Sequence, residues 1–293
     1  MNTGTRAKKT RASKTRSDAP RRRLRRRRGI YLLPNLFTTG AMFAGFFAII
    51  SAIDGNFQAA AIAVFVAFVL DGLDGRVARM TGTESEFGQQ FDSLSDMISF
   101  GLAPAIIVYQ WSMSALGEAP WWWWTEISWL IAFFFAVAAA LRLARFNIRS
   151  DSTDRRFFQG LPSPSAAANI AGATWLLASL ELSGTWTVIP VNLLAVAAGS
   201  LMVSNISYYS FKDLNITGGR VPFTYAILIP LAFILIALAP APVLFAGFFL
   251  YLVSGPMLAL WRRLRRRPWR RQGPAESVSA DTGPDVTKDG RDG

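Results

Sequence analysis

Neither cysteine nor histidine occurs in the 293 residues. Without cysteine there are no disulfides, no thiol nucleophile and no thiolate zinc site. Without histidine there is no imidazole base, so the Ser-His-Asp scheme is excluded. Any proton transfer falls to carboxylate, lysine, tyrosine or water. Acids are scarce as well, 19 against 31 Lys and Arg, while 52% of the chain is apolar.

The scarce acids are not spread evenly. DGLDGRVARMTGTESEFGQQFDSLSD, residues 71–96, holds four Asp, two Glu and two Arg, between the apolar runs FQAAAIAVFVAFVL and MISFGLAPAIIVYQW. An Asp at the centre of a membrane helix costs about 2.5–3.5 kcal/mol on insertion scales, so four need compensation. Asp71, Asp74, Gly75 and Ala78 fall on one helical stripe, and Gly88, Asp92 and Asp96 on another. Thr81, Gly82 and Thr83 suit a turn between them. Two antiparallel helices joined there bring the stripes face to face, and converging carboxylates call for divalent metal. Oxygen ligands alone favour Mg²⁺, Mn²⁺ or Ca²⁺ over zinc or copper.

The basic residues are equally uneven. Residues 1–28 contain thirteen Lys or Arg and end in RRRLRRRR. The composition predicts a disordered arm over 1–29 that anchors topology and touches anionic lipid. No aromatic residues interleave these arginines, which argues against nucleic acid as partner. Eight candidate spans follow, at 33–53, 57–79, 89–112, 127–147, 164–181, 186–206, 222–239 and 242–261, each near the length of a bilayer core. With the N-terminus in the cytoplasm, the outer connections Asp54–Asn56, Ser114–Glu126, Glu181–Thr185 and Pro240–Ala241 carry no Lys or Arg. The inner ones carry Arg76, Arg79, Arg142, Arg145, Arg149, Arg155, Arg156, Lys212 and Arg220, so the positive-inside rule is met. Trp121–Trp124 read as an interfacial belt on the outer side. The expectation is an all-α, polytopic membrane bundle of about eight transmembrane helices. Its catalytic domain covers 30–262, and a basic then disordered tail covers 263–293.

Two arginines in LRLARFN, Arg142 and Arg145, are either snorkelling anchors or an anion site beside the acids. FFQGLPSPSAAANI holds a rigid turn at Gly160, Pro162 and Pro164, with Ser163 and Ser165 at the helix entry. In LLPNLFTTG, Asn35, Thr38 and Thr39 put polar groups at the cytoplasmic end of the first span, as caps or as head-group contacts.

The central stretch resembles the signature of the CDP-alcohol phosphotransferases. That pattern is Asp, two residues, Asp-Gly, two residues, Ala-Arg, eight residues, Gly, three residues, Asp, three residues, Asp. Asp71, Asp74, Gly75, Ala78, Arg79, Gly88, Asp92 and Asp96 fill all eight positions. LPNLFT, RLARFN and FQGLPSPSAAA are similar to the membrane-integrated phosphatidylserine synthases of that family, a likeness covering about residues 30–220.

The resemblance implies transfer of a phosphatidyl group from CDP-diacylglycerol to the hydroxyl of L-serine, giving phosphatidylserine and CMP, in the plasma membrane of a prokaryote. It implies Asp71, Asp74, Asp92 and Asp96 as ligands of two Mg²⁺ or Mn²⁺ ions, and Asp96 as general base. Asp71, Gly75, Ala78, Arg79 and Gly88 would meet the nucleotide and its diphosphate. Arg142 and Arg145, with Asn35, Thr38 and Ser163, are candidates for the serine carboxylate or the donor phosphate. A homodimer in contact with membrane lipids is implied by the family alone. Glycerol 3-phosphate or inositol phosphate as acceptor, and a divalent-cation transporter, are the alternatives. The transporter would be expected to repeat its acidic motif, and the last four spans hold few acids.

Overall fold

The computed structural model describes residue 1 and residues 32–117, 122–149, 157–182, 184–209 and 223–265. The basic arm, the distal tail and the loop residues Arg155, Arg156, Lys212 and Arg220 lie outside the described residues.

The first span is helix α1, Leu32–Ile53. Helix α2, Phe57–Thr81, begins where the Asn56 side chain accepts the Ala59 N–H at 3.1 Å and ends at Gly82, whose φ of +60° closes the last turn. Helix α3, Glu86–Asp96, starts three residues later, with the Ser85 hydroxyl accepting the Gly88 N–H at 3.0 Å. The predicted turn at Thr81–Thr83 therefore stands, and the two acidic helices are neighbours.

The third span departs from its reading as one regular helix. Between α3 and α4, Ala103–Leu116, the segment Met97–Leu102 is wound as a π-helix directly after Asp96. Such segments are rare and gather at functional sites. This one is seated on α1. Ser95 Oγ donates to Thr38 O at 3.1 Å, and Ser99 Oγ to Ala41 O at 3.0 Å. Gly45 makes the approach possible, because a Cβ there would stand 2.7 Å from Ser99 Cα. Gly45→Val is therefore expected to cost about 1–3 kcal/mol. The check is the apparent melting temperature of the detergent-solubilised protein, with the exposed Gly72→Ala as control.

Helix α5 is Trp122–Arg149, α6 Ser163–Ser179, α7 Val188–Val203, α8 Phe223–Leu238 and α9 Pro240–Arg265. Among the described residues, six helices are long and apolar enough to cross a membrane, counting Glu86–Leu116 as one and Thr185–Val203 as another. The other two of the eight expected spans, α6 and α8, have 17 and 16 residues and fall short of that length. The chain is a polytopic integral membrane protein, built mostly of helices. Its core is lined by small side chains, with Ala60, Ala61, Ala67, Ala166, Ala167 and Ala171 fully covered. Small residues let backbones approach where apolar burial offers no preference over lipid. Helix α6 is the centre: every residue from Ser163 to Trp175 except Pro164 is buried. At the start of α5, Trp123 and Trp124 stack at 4.7 Å.

The all-α expectation needs one addition. Strand β1, Phe157–Gln159, pairs antiparallel with β2, Ser207–Tyr209. Gly160 follows at φ +82°, donates to Ile206 O at 2.9 Å and has no room for a Cβ against Met202 O. Leu161 N–H donates to Leu201 O at 3.0 Å. This pair pins the entry of α6 to the end of α7. Beside it, Tyr208 donates to Leu252 O at 3.0 Å, which ties β2 to α9. Burial, and then Tyr251, push the Tyr208 phenol above its usual range, so it stays a donor.

Candidate active site

Helices α2 and α3 place their acids against one another as the stripes require. One carboxylate oxygen each from Asp71, Asp74 and Asp92 lies within 4.8 Å of the other two. Asp96 stands within hydrogen-bond reach of Asp71. At an effective dielectric constant of 20, two unit charges at that separation repel by about 3 kcal/mol. A cluster of this kind persists only if cations or protons neutralise it.

Two features match a divalent cation. The donors are all carboxylate oxygens, the set that hard ions select. Asp92 Oδ1 is buried and has no hydrogen-bond partner among the described residues, an acceptor that a cation would satisfy. Asp74, by contrast, is oriented: Thr38 Oγ1 donates to its Oδ2 at 2.7 Å, so α1 fixes one of the acids from outside the motif. Asn35 reaches the same region, since a Cβ on Gly88 would stand 3.6 Å from its Oδ1. Over Gly75 lies the Arg79 guanidinium, 3.7 Å from where a Cβ would be, with the rest of that surface open. Ala78 is half-buried and its carbonyl accepts the Thr83 N–H at 3.1 Å, which holds the turn.

The two arginines of RLARFN go different ways. Arg142 donates to Ser163 Oγ and lies close enough for its charge to act on Asp96 and Asp71. It is presented by α5 and held by the first residue of α6. Arg145 donates to Gln159 Oε1 at 2.7 Å and Asn205 Oδ1 at 2.6 Å. Two of these partners escaped the sequence reading as individual residues. Gln159 sits in FFQGLP, a run singled out there, whereas nothing in the sequence marks Asn205. Asn147, from RLARFN, donates to Ser93 at 3.0 Å and joins α5 to the acidic helix α3.

What the arrangement can do is bind an anion through metal and Arg142, and accept a proton at a carboxylate beside it. Comparison with known proteins gives the family. The sequence is 39% identical over 187 residues to a CDP-diacylglycerol–serine O-phosphatidyltransferase of Helicobacter pylori (strain ATCC 700392 / 26695), covering 64% of this chain and 75% of the other. It is 37% identical over 175 residues to the protein of the same name in Mycobacterium leprae (strain TN), covering 57% of this chain and 54% of that one. An archaetidylserine synthase of Methanothermobacter thermautotrophicus is 35% identical over 178 residues, 60% of this chain and 69% of its own. Residues 31–253, with all four aspartates inside them, match the CDP-alcohol phosphatidyltransferase family, and the chain belongs to that family.

Proposed function

We propose that the chain transfers a phosphatidyl group from CDP-diacylglycerol to the hydroxyl of L-serine, releasing CMP. The observation that carries this reading is the meeting of Asp71, Asp74 and Asp92 within 4.8 Å, with Asp96 adjoining. Relatives named for the serine reaction support the acceptor.

Asp71, Asp74, Asp92 and Asp96 would hold two divalent ions, Mg²⁺ or Mn²⁺. Bound there, the metal neutralises the donor diphosphate and stabilises charge on departing CMP. Asp96 accepts the serine hydroxyl proton as the serine oxygen bonds to the phosphorus carrying diacylglycerol. The bond from that phosphorus to the CMP oxygen breaks in the same step. Arg79 approaches the diphosphate over Gly75, where the absent side chain leaves space; Ala78 and Gly88 keep the nucleotide's path equally clear. Arg142, steadied by Ser163, draws in the serine carboxylate or the donor phosphate. Asn35 and Thr38 border the head group from α1. Much of such a reaction is positioning and charge neutralisation, which is what this set of residues offers.

In this reading α6 and α8 also cross the bilayer, making eight spans, and both termini and the acids are cytoplasmic. The one-sided basic residues support that orientation. The homodimer rests on the family resemblance.

The test is purified protein with CDP-diacylglycerol and labelled serine, glycerol 3-phosphate or inositol phosphate, with and without chelator. Metal-dependent CMP release with serine alone is expected. Release with another acceptor and none with serine would reject the acceptor while keeping the chemistry. Thr38→Val gives a finer check. Losing the hydrogen bond on Asp74 should weaken metal activation about tenfold, with turnover restored at high metal. Titration of activity against Mn²⁺ reads both.

A further inference from the structure

Arg142 and Arg145 are three residues apart, hence about 60° apart around α5. Arg142 faces the acids. Arg145 is steadied by Gln159 and Asn205, both neutral, so its guanidinium is oriented without being neutralised. Among the described residues it forms no ion pair.

A groove of about 400 Å³ lies one helical turn before this cation on α5. It runs between α5 and α7, lined by Phe134, Ala138 and Leu141 on one side and Ser200, Val203 and Ser204 on the other. Phe134, Ala138, Leu141 and Arg145 recur at intervals of four, three and four, a single helical stripe rising about 16 Å. On α7, Asn205 directly follows Ser204. The groove is apolar along α5, with Ser200 and Ser204 on its α7 wall, and the Arg145 guanidinium, held by Asn205, stands next to its Leu141–Ser204 end. Leu141 is 55% exposed and Val203 44%, so the groove opens sideways toward the bilayer. The last carbonyls of α7 face the same end and favour a cation there.

We propose that this groove binds an anionic phospholipid of the surrounding bilayer, separate from the reacting donor, with one acyl chain between α5 and α7 and its phosphate on Arg145. Hydrocarbon fills any such groove in a membrane; the selective element is the charge at its end. A phosphate oxygen meets an already oriented guanidinium, so little side-chain freedom is lost on binding. The separation from the donor follows from the 60° turn between the two arginines and from the tie of Arg145 to α7. The inference does not depend on serine being the acceptor.

The experiment uses the full chain in nanodiscs of phosphatidylcholine with or without added phosphatidylglycerol, followed by native mass spectrometry of the lipid retained. One phosphatidylglycerol is expected to stay bound in preference to phosphatidylcholine. Arg145→Gln should lower that preference about fivefold. Leu141→Trp, which fills the groove, should abolish retention while leaving CMP release in detergent unchanged; Val203→Phe fills it from the other wall should the first variant fail to fold. Arg142→Gln should retain the lipid. CDP-diacylglycerol, added with chelator, should not displace it. Displacement would assign the groove to the donor. Equal retention of phosphatidylcholine, or full retention in both filled variants, would also overturn the proposal.

Discussion

Asp96→Asn is expected to lower turnover by about 10²–10⁴-fold while leaving the protein inserted and monodisperse. Asparagine preserves the shape and one acceptor oxygen but takes up no proton. With no histidine anywhere in the chain, another base would have to come from a different carboxylate, Lys, Tyr or water. Asp96 is also placed for the work. It adjoins Asp71 inside the cluster and has Arg142 near enough to act on it. Single-turnover release of CMP separates chemistry from binding, and CDP-diacylglycerol affinity should change little. A variant that turned over at half the native rate would remove Asp96 from the base role.

Asp92→Asn is expected to abolish activity by a different route. Asp92 is the only acid of α3 in the group of three oxygens within 4.8 Å, so it is the residue through which α3 would hold the ions. Its buried Oδ1 makes no hydrogen bond within the protein, so the bound ion would be its natural partner. Replacing it should cost more than the tenfold expected for Thr38→Val, and high Mn²⁺ should fail to rescue it. Calorimetric metal titration in detergent checks this without reference to turnover. Undiminished metal affinity would mean that the ions sit elsewhere.

These two residues also show how far the sequence could be read. Asp92 and Asp96 were found by spacing, because intervals of four fix a shared helical face whatever surrounds it. The turn at Thr81, Gly82 and Thr83 is local enough to follow from residue type. The π-helical turn after Asp96 is not. It depends on Ser95 and Ser99 reaching carbonyls of α1, some 57 residues away in sequence. The β1–β2 pair was hidden for the same reason, since neither three-residue strand has a pattern until the other lies beside it. RLAR gave both arginines one reading, but their directions are decided by Ser163 for one and by Gln159 and Asn205 for the other. The short lengths of α6 and α8 are why six of the eight expected spans, and not all eight, reach the length of a membrane crossing among the described residues.

Helix α6 has a consequence for how the protein is made. A segment enclosed by its neighbours from Ser163 to Trp175, carrying Asn169 and Thr174 and only 17 residues long, gains little from lipid by itself. Thr174 donates to carbonyls of its own helix, but Asn169 also donates to Phe248 O of α9, and Ser163 meets Arg142 of α5. During biogenesis it should therefore enter together with α7 as a hairpin and become secure only when α9, synthesised after both, closes over it. Ribosomes halted before α9 would then leave a nascent chain whose catalytic acids are already inserted but whose central helix is still open to quality-control proteases.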